Sequence, residues 1–257
     1  MNQELKHHIL KALDAEMRFD GRKLTEFRNI EIETGISKNA EGSARVKIGE
    51  TEVMTGIKLG IEKPFPDTPG DAILMVGTEL VPMASPEFEA GPPDDQSIEL
   101  SRVVDRGIRE SKAIDLKKYC IKKGEKVWSI SVDTVAINDA GNLLDAAALA
   151  AIVALKNTRF PKYENDAINY KELTNEALSI KKIPIAVTVV KIGDKFLIDP
   201  SLEEEQVMDA KLTVTSTADG IICALQKSGF VGLSTQDIDF MLSLGMEKAK
   251  ELAKLIG

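Results

Sequence analysis

Between Val127 and Leu155 the hydrophobic pattern changes its period once. Trp128, Ile130 and Val132 alternate with Ser129, Ser131 and Asp133, and the run stays apolar from Val135 to Ile137, which predicts a mostly buried strand. Asn138-Asp139-Ala140-Gly141-Asn142 breaks the run as a turn. Leu143 to Lys156 then carries Ala, Leu, Ile and Val nearly all round, as a helix enclosed by its own protein does. This strand-turn-helix unit is expected at the centre of the fold.

The same periods organise the rest. Leu5, Ile9, Ala12, Leu13 and Met17 recur at helical spacing, so residues 2–17 predict a surface helix that docks one face. Ile30 and Ile32, then Ala44 to Ile48, then Glu52 to Leu59 predict short strands of an antiparallel or mixed sheet. Pro-rich loops at 64–69 and 85–95 flank an apolar run from Ala72 to Met83. Ile98 to Lys112 predicts a helix with Ile98, Leu100, Val103, Val104 and Ile108 toward the core. Residues 157–182 are polar and read as a connection. Hairpins are expected around Gly193-Asp194 and Asp219-Gly220, and a closing helix begins at Ser234 with a capping-box-like Asp237. Strands precede the helix in both halves, which points to an internal duplication.

At 257 residues with 43% hydrophobic and 29% charged positions, the chain can bury a sizeable core in one large domain or two packed halves. A net charge of -8 argues against a whole-molecule grip on nucleic acid, so any such contact must be local. Cys120 and Cys223 have neither metal-ligand spacing nor a disulfide framework and are expected as reduced core thiols. His7 and His8 are the only histidines and share one helix, which leaves no scheme of nucleophile activation by histidine. No apolar run reaches membrane-spanning length and the N-terminus is not signal-like, so the expectation is a cytoplasmic protein with no membrane contact.

Three stretches could carry chemistry. The turn at 138–142 feeds a helix N-terminus, where unpaired N–H groups and the helix dipole favour an anion. However, Leu143, Leu144 and Asp145 follow it in place of hydroxyl or basic groups, so capping from within is the competing reading. Arg102, Arg106 and Arg109 form one stripe at spacings of four and three, open either to local ion pairs with Glu99, Glu110 and Asp105 or to a phosphate backbone. From Glu99 to Lys126 nine basic residues face five acidic ones, a concentrated patch in an acidic chain. Glu203, Glu204, Glu205 and Asp209 cluster between two strands, either as a solvated turn or as paired carboxylates for magnesium or acid-base work.

In order along the chain, Arg18-Phe-Asp-Gly-Arg22, Gly42-Ser-Ala44, Phe88-Glu-Ala-Gly-Pro-Pro-Asp94, the run from Ile98 to Arg109, Gly141-Asn-Leu-Leu-Asp-Ala146 and Gln226-Lys-Ser-Gly229 resemble the RNase PH family over nearly the whole length. Within it, the chain is similar to the non-catalytic RNase PH-like subunits of archaeal exosomes. Active members phosphorolyse RNA from the 3' end with a phosphate turn of the form Asp-Gly-Gly-Thr-Arg-Thr. Here those positions hold Asp139, Ala140, Gly141, Asn142, Leu143 and Leu144. Active members also carry two aspartates six residues apart after a Leu-Asp strand end. Counting from Asp199 puts Glu205 and Lys211 there, while a two-residue slip would pair Glu203 with Asp209.

The resemblance implies an α+β, RNase PH-like fold of two related βαβ-containing halves, with the family's left-handed crossover and mixed sheets backed by helices. The halves are expected at 1–156, leading helix included, and 183–257, joined by 157–182. It further implies an inactive subunit that needs no cofactor of its own. Such a subunit alternates with an active RNase PH-like sister in a hexameric ring, shapes the sister's site and meets cap subunits with RNA-binding domains. It offers Arg102 and Arg106 to single-stranded RNA, with Arg109 added from helical spacing. The alternatives are that the chain is itself a phosphorolytic 3'-to-5' exoribonuclease, or that Glu203 to Asp209 forms a metal-dependent hydrolase site.

Overall fold

The computed structural model describes residues 3–256; the expected helix start at residue 2 and the final residue, 257, lie outside the described residues. Twelve strands and five helices run in the order α1 (Gln3–Asp14), β1 (Ile30–Thr34), β2 (Gly42–Ile48), β3 (Thr51–Glu62), β4 (Ile73–Leu80), α2 (Asp95–Glu110), β5 (Cys120–Lys122), β6 (Lys126–Asn138), α3 (Leu143–Lys156), β7 (Arg159–Glu164), β8 (Ala167–Ala177), β9 (Pro184–Ile192), β10 (Lys195–Ile198), α4 (Leu202–Val207), β11 (Ala210–Thr217), β12 (Ile222–Ser228) and α5 (Thr235–Ile256).

The first sheet has the order β1-β2-β3-β6-β4, with β5 on the end of β6. It is mixed: β4 and β6 pair in parallel, Ile73 opposite Ser129, and the other pairs are antiparallel. Because β4 and β6 are parallel neighbours, the intervening α2 makes a βαβ crossover. The second sheet has the order β10-β9-β11-β12. There β10 and β11 both run antiparallel to β9 and so parallel to each other, and α4 between them makes the second crossover.

α3 lies where the two sheets meet. It packs on β2, β3 and β6 on one side and on β9 on the other, and every residue from Leu143 to Leu155 except Ala148 is buried. Its all-round apolar surface reflects two packing faces. The second sheet is covered on both sides as well. Thr215 faces Gly107 of α2, whereas its neighbour Val214 faces Gly245 of α5; successive strand residues point to opposite faces. β9, loaded on both faces, is buried at every position from Pro184 to Val190.

Four expectations need correction. Ile98 is 48% exposed, and the inner face of α2 holds Ser97 and Gly107 beside Leu100, Val103, Val104 and Ile108. The polar stretch 157–182 is no simple connection. It holds the β7–β8 hairpin, turned by Asn165 and Asp166 at φ 52° and 62°, the left-handed pair a two-residue turn requires. Cys120 and Cys223 are half-buried free thiols and not core residues. Met17 lies past the end of α1 and is exposed; Ile9 and Leu13 do the docking. They dock on Val190, Ile192, Leu197 and Val207, so the leading helix packs on the second sheet although it comes first in the chain.

Candidate functional site

The turn before α3 is filled by the protein itself. Gly141 takes φ +90°, and a Cβ there would stand 2.5 Å from the Pro200 carbonyl oxygen, so the backbone of 200–202 presses on the turn. Asn142 is left-handed at φ 61°. The turn's amides are committed one by one: Ala140 N–H donates to Thr51 Oγ1 at 3.2 Å, Gly141 N–H to Asp139 Oδ1 at 2.9 Å, and Asn142 N–H to Glu205 Oε1 at 3.1 Å. A carboxylate from α4 therefore sits where the helix end would attract an anion. Leu143 and Leu144 continue the wall and are buried.

Glu205 and Lys211 line the same small cleft as Asp139, Asn142, Leu143 and Leu144. Burial pushes the Glu205 carboxyl above its usual range, opposed by the Lys211 charge and the Asn142 N–H; burial likewise raises Asp139. The slipped pairing does not form one site. Glu203 is exposed beside Arg18, Phe19 and Asp20, whereas Asp209 accepts from Gly193 N–H at 2.7 Å and pairs with Lys6. Nor do the residues at the cleft fit the magnesium that active relatives imply. Glu205 and Asp139 each already hold a backbone amide, Glu99 is taken by Gln226 and Ser228, and the group facing Glu205 is an ammonium, which cannot ligate a cation. Among the described residues no three His, Cys, Asp or Glu side chains are grouped to hold a metal ion.

The acidic segment is not a solvated turn either. Ser201 and Glu204 form a capping box on α4, and Glu204 is buried. Its partner is Arg18, also buried, whose Nε donates to Glu204 Oε1 at 2.8 Å and whose Nη2 pairs with Oε2. Arg18 further donates to the Ile198 and Asp199 carbonyls at 3.0 and 2.7 Å. Asp199, left-handed at φ 47° and wholly buried, accepts from Arg22, from Arg28 through both side chain and backbone, and from Asn142 Nδ2. Burial works to raise its pKa, but the Arg28 hydrogen bonds and charge outweigh it and hold it below the usual carboxylate range. Arg28 also caps the carbonyls of Ala140 and Gly141. Sequence reasoning noted the Arg18–Arg22 motif without a role for it and missed Arg28. The available signal was three arginines within eleven residues and a lone strand-end aspartate far along the chain.

In the first turn of α3, Asp145 is fully buried and accepts from Thr188 N–H at 3.0 Å and Thr188 Oγ1 at 2.7 Å. Burial dominates and raises its pKa to about 7, with Thr188 and Asn142 working to lower it and Asp199 adding to the rise.

On α2 the three arginines are exposed but differ in their partners. Arg109 pairs with Asp105 at 2.7 Å and donates to the Leu74 carbonyl at 3.2 Å, so at this position the local ion pair forms. The guanidinium groups of Arg102 and Arg106 make no ion pair or hydrogen bond among the described residues. Glu99, four residues from Asp95 and three from Arg102, is taken by Ser228 Oγ and by Gln226 Nε2 at 3.3 Å. Arg102 opens onto a groove between α2 and the edge strand β4, and Arg106 lies against β11 and β12.

These features meet a clear relationship. Residues 26–161 match domain 1 of the 3' exoribonuclease (RNase PH) family, and residues 182–248 match domain 2. The chain belongs to that family. It is 44% identical over 253 residues to the exosome complex component Rrp42 of Methanopyrus kandleri, covering 98% of this chain and 95% of that protein. The Rrp42 component of Methanocella arvoryzae is 49% identical over 235 residues, 91% and 88% of the two chains. Among solved structures, a chain of the Archaeoglobus fulgidus exosome with RNA bound to the active site superposes with a TM-score of 0.93 at 45% identity, over 99% of this chain and 98% of that one. Rice Rrp46, at 18% identity and a TM-score of 0.69, shares the fold.

Proposed function

We propose that this chain is a non-catalytic RNase PH-like subunit of an archaeal-type exosome. It pairs with an active RNase PH-like subunit in an alternating hexameric ring, helps to shape that subunit's site, and holds single-stranded RNA through Arg102 and Arg106 during 3'-to-5' degradation. Arg109, tied to Asp105, is the weakest of the three contacts. The single observation that carries this reading is Glu205 bonded to the Asn142 N–H. The protein's own carboxylate fills the turn that active relatives use for phosphate, and the side chains that would complete such a site are Leu143, Leu144 and Lys211. Phosphate could enter only by displacing the half-buried Glu205 carboxyl from the Asn142 N–H and then meeting two leucines, both of which cost free energy. The relatives named above, which carry exosome names over almost the full chain, support a place in a multi-subunit complex that meets RNA; the active sister and the RNA-binding cap subunits are part of this proposal.

Phosphorolysis is the direct test. The isolated chain, given inorganic phosphate, magnesium and 3'-labelled single-stranded RNA, is expected to release no nucleoside diphosphate. Mixed with an active RNase PH-like subunit, it is expected to raise that subunit's rate. Diphosphate release by the isolated chain would instead mark it as an active phosphorolytic exoribonuclease. Monophosphate release without phosphate would mark a hydrolase.

A further inference from the structure

The basic excess between Glu99 and Lys126 is not spent on α2 alone. The topology collects its second part at one end of the first sheet. Glu62 of β3 stands opposite Val127 of β6, Ile73 of β4 opposite Ser129, and Cys120 of β5 opposite Val127, so these strand ends are neighbours. The helix α2 reaches the same end, since Arg109 donates to the Leu74 carbonyl. Just beyond it, Lys112, Lys117, Lys118, Lys122 and Lys123 are all exposed.

The negative groups of this end are Glu62, Asp67, Asp71, Glu110, Asp115 and Glu125, with Asp166 reaching in from the β7–β8 turn. Two of them are engaged: Asp115 with Lys181 at 2.7 Å and Glu125 with Lys122 at 2.6 Å. Lys126 is engaged too, with Asp166 at 2.7 Å. The ammonium groups of Lys112, Lys117 and Lys123 make no hydrogen bond or ion pair among the described residues, although Lys117 lies near enough to Asp115 to help lower its pKa, and Lys118 rests its ammonium 5.7 Å from the Tyr119 ring.

The loop docked on the turn of Lys122 and Lys123 carries an aromatic ring. The segment 64–71 is held by Thr68 N–H to Phe65 O at 3.1 Å, Asp71 N–H to Thr68 O at 3.1 Å, and Gly124 N–H to Pro69 O at 2.7 Å. The last bond docks the loop on the turn that carries Lys122 and Lys123. Pro64, Pro66 and Pro69 restrict it further. Phe65 is nevertheless 57% exposed. An apolar ring presented to solvent on a stiffened loop that is docked on a lysine-bearing turn matches what single-stranded nucleic acid binds: a face for base stacking and charges for the backbone.

We propose that this end of the first sheet is a second contact for single-stranded RNA, where Lys112, Lys117, Lys118 and Lys123 hold phosphodiesters and Phe65 stacks a base. It rests on the reading of the chain as an RNA-contacting subunit, and it extends the track of α2 past Arg109. Arg102 to Arg109 covers seven residues, about 10 Å of helix axis, so the two contacts can serve one strand.

The test uses the assembled complex with its active partner subunit, a fluorescein-labelled single-stranded oligoribonucleotide, and anisotropy over a salt series. The triple variant Lys117→Glu, Lys118→Glu, Lys123→Glu is expected to bind about tenfold or more weakly at low salt. Its log-log salt slope should be shallower by about 2, from about 0.7 per lost phosphate contact. Phe65→Ala is expected to weaken binding several-fold with the slope unchanged. A control with the same charge change elsewhere, Lys11→Glu, Lys250→Glu, Lys254→Glu, is expected to bind as the parent complex does.

Unchanged affinity and slope in the lysine variant would overturn the proposal, as would an equal loss in the control. If the lysine variant instead fails to assemble while rings that do form bind RNA normally, the surface is a protein interface and the proposal also falls. Variants of Arg102 and Arg106 measured alongside separate the two readings. If they weaken binding and the lysine variant does not, only this second contact is refuted; if neither does, the RNA-contacting role itself fails.

Discussion

Replacing Arg18 by Met tests how the acidic segment is held over the turn. The side chain is buried, and it satisfies the Glu204 carboxylate together with the carbonyls of Ile198 and Asp199. Without it, Glu204, 5% exposed, becomes an unpaired buried charge, and the Ile198 carbonyl loses the Arg18 donor. The Asp199 carbonyl keeps Arg22 Nη2 at 3.2 Å. Removing one partner of a buried ion pair costs about 3–5 kcal/mol, most of it the penalty of the charge left behind. With a urea dependence of about 3 kcal/mol/M, the unfolding midpoint should fall by about 1–1.7 M.

The double variant Arg18→Met, Glu204→Gln neutralises that charge while keeping a capping-box amide on α4. It should recover at least half of the loss. Urea unfolding followed by the fluorescence of Trp128 and by circular dichroism measures both variants. A loss below about 1 kcal/mol for Arg18→Met, or a double variant no better than the single one, would refute the argument that this pair carries its energy as a buried, mutually dependent unit.

Two further outcomes follow from the same geometry. Arg102→Glu with Arg106→Glu should weaken RNA retention by the assembled ring and flatten its salt dependence by about 1.4 units, from about 0.7 per contact; unchanged values would return both arginines to an ordinary solvated face. Asp145, with its pKa raised by burial to about 7 against an ordinary 3.8, binds a proton in the folded state that the unfolded chain releases between those values. Its contribution is therefore complete below about pH 4 and is lost as pH rises through about 7, at up to about 1.4 kcal/mol per pH unit. Asp145→Asn should remove that part of the slope in unfolding measurements from pH 4 to 8, and a variant with the parent's slope would contradict the assignment.

Much of the architecture was legible because periodicity reports burial directly. The span from Leu143 to Lys156 matched α3 to the residue, since an all-round apolar helix has few other uses. The hairpins at Gly193-Asp194 and Asp219-Gly220 formed because glycine there takes φ of 59° and 82°. The β7–β8 hairpin was illegible for the opposite reason. From Ala167 to Ala177 no residue of β8 is buried, so no alternation marks the strand. In the site, the leucines after the turn and the lysine at 211 could be read along the chain. That Glu204 is buried and Glu203 exposed could not, because neighbouring carboxylates differ only in what faces them.

The sequence alone determined which residue types stand at each position of the turn and the acidic segment, and so which ligands they can chemically accept. Only the tertiary structure decided that Glu205 reaches Asn142, that Arg18, Arg22 and Arg28 converge on Asp199 and Glu204 from some 170 to 190 residues away, and that Arg109 is paired while the guanidinium groups of Arg102 and Arg106 have no partner among the described residues. The physical reason is range. Hydrophobic period and turn chemistry act between residues a few positions apart, whereas a buried charge is settled by whichever opposite charge the packed chain carries to within about 3 Å.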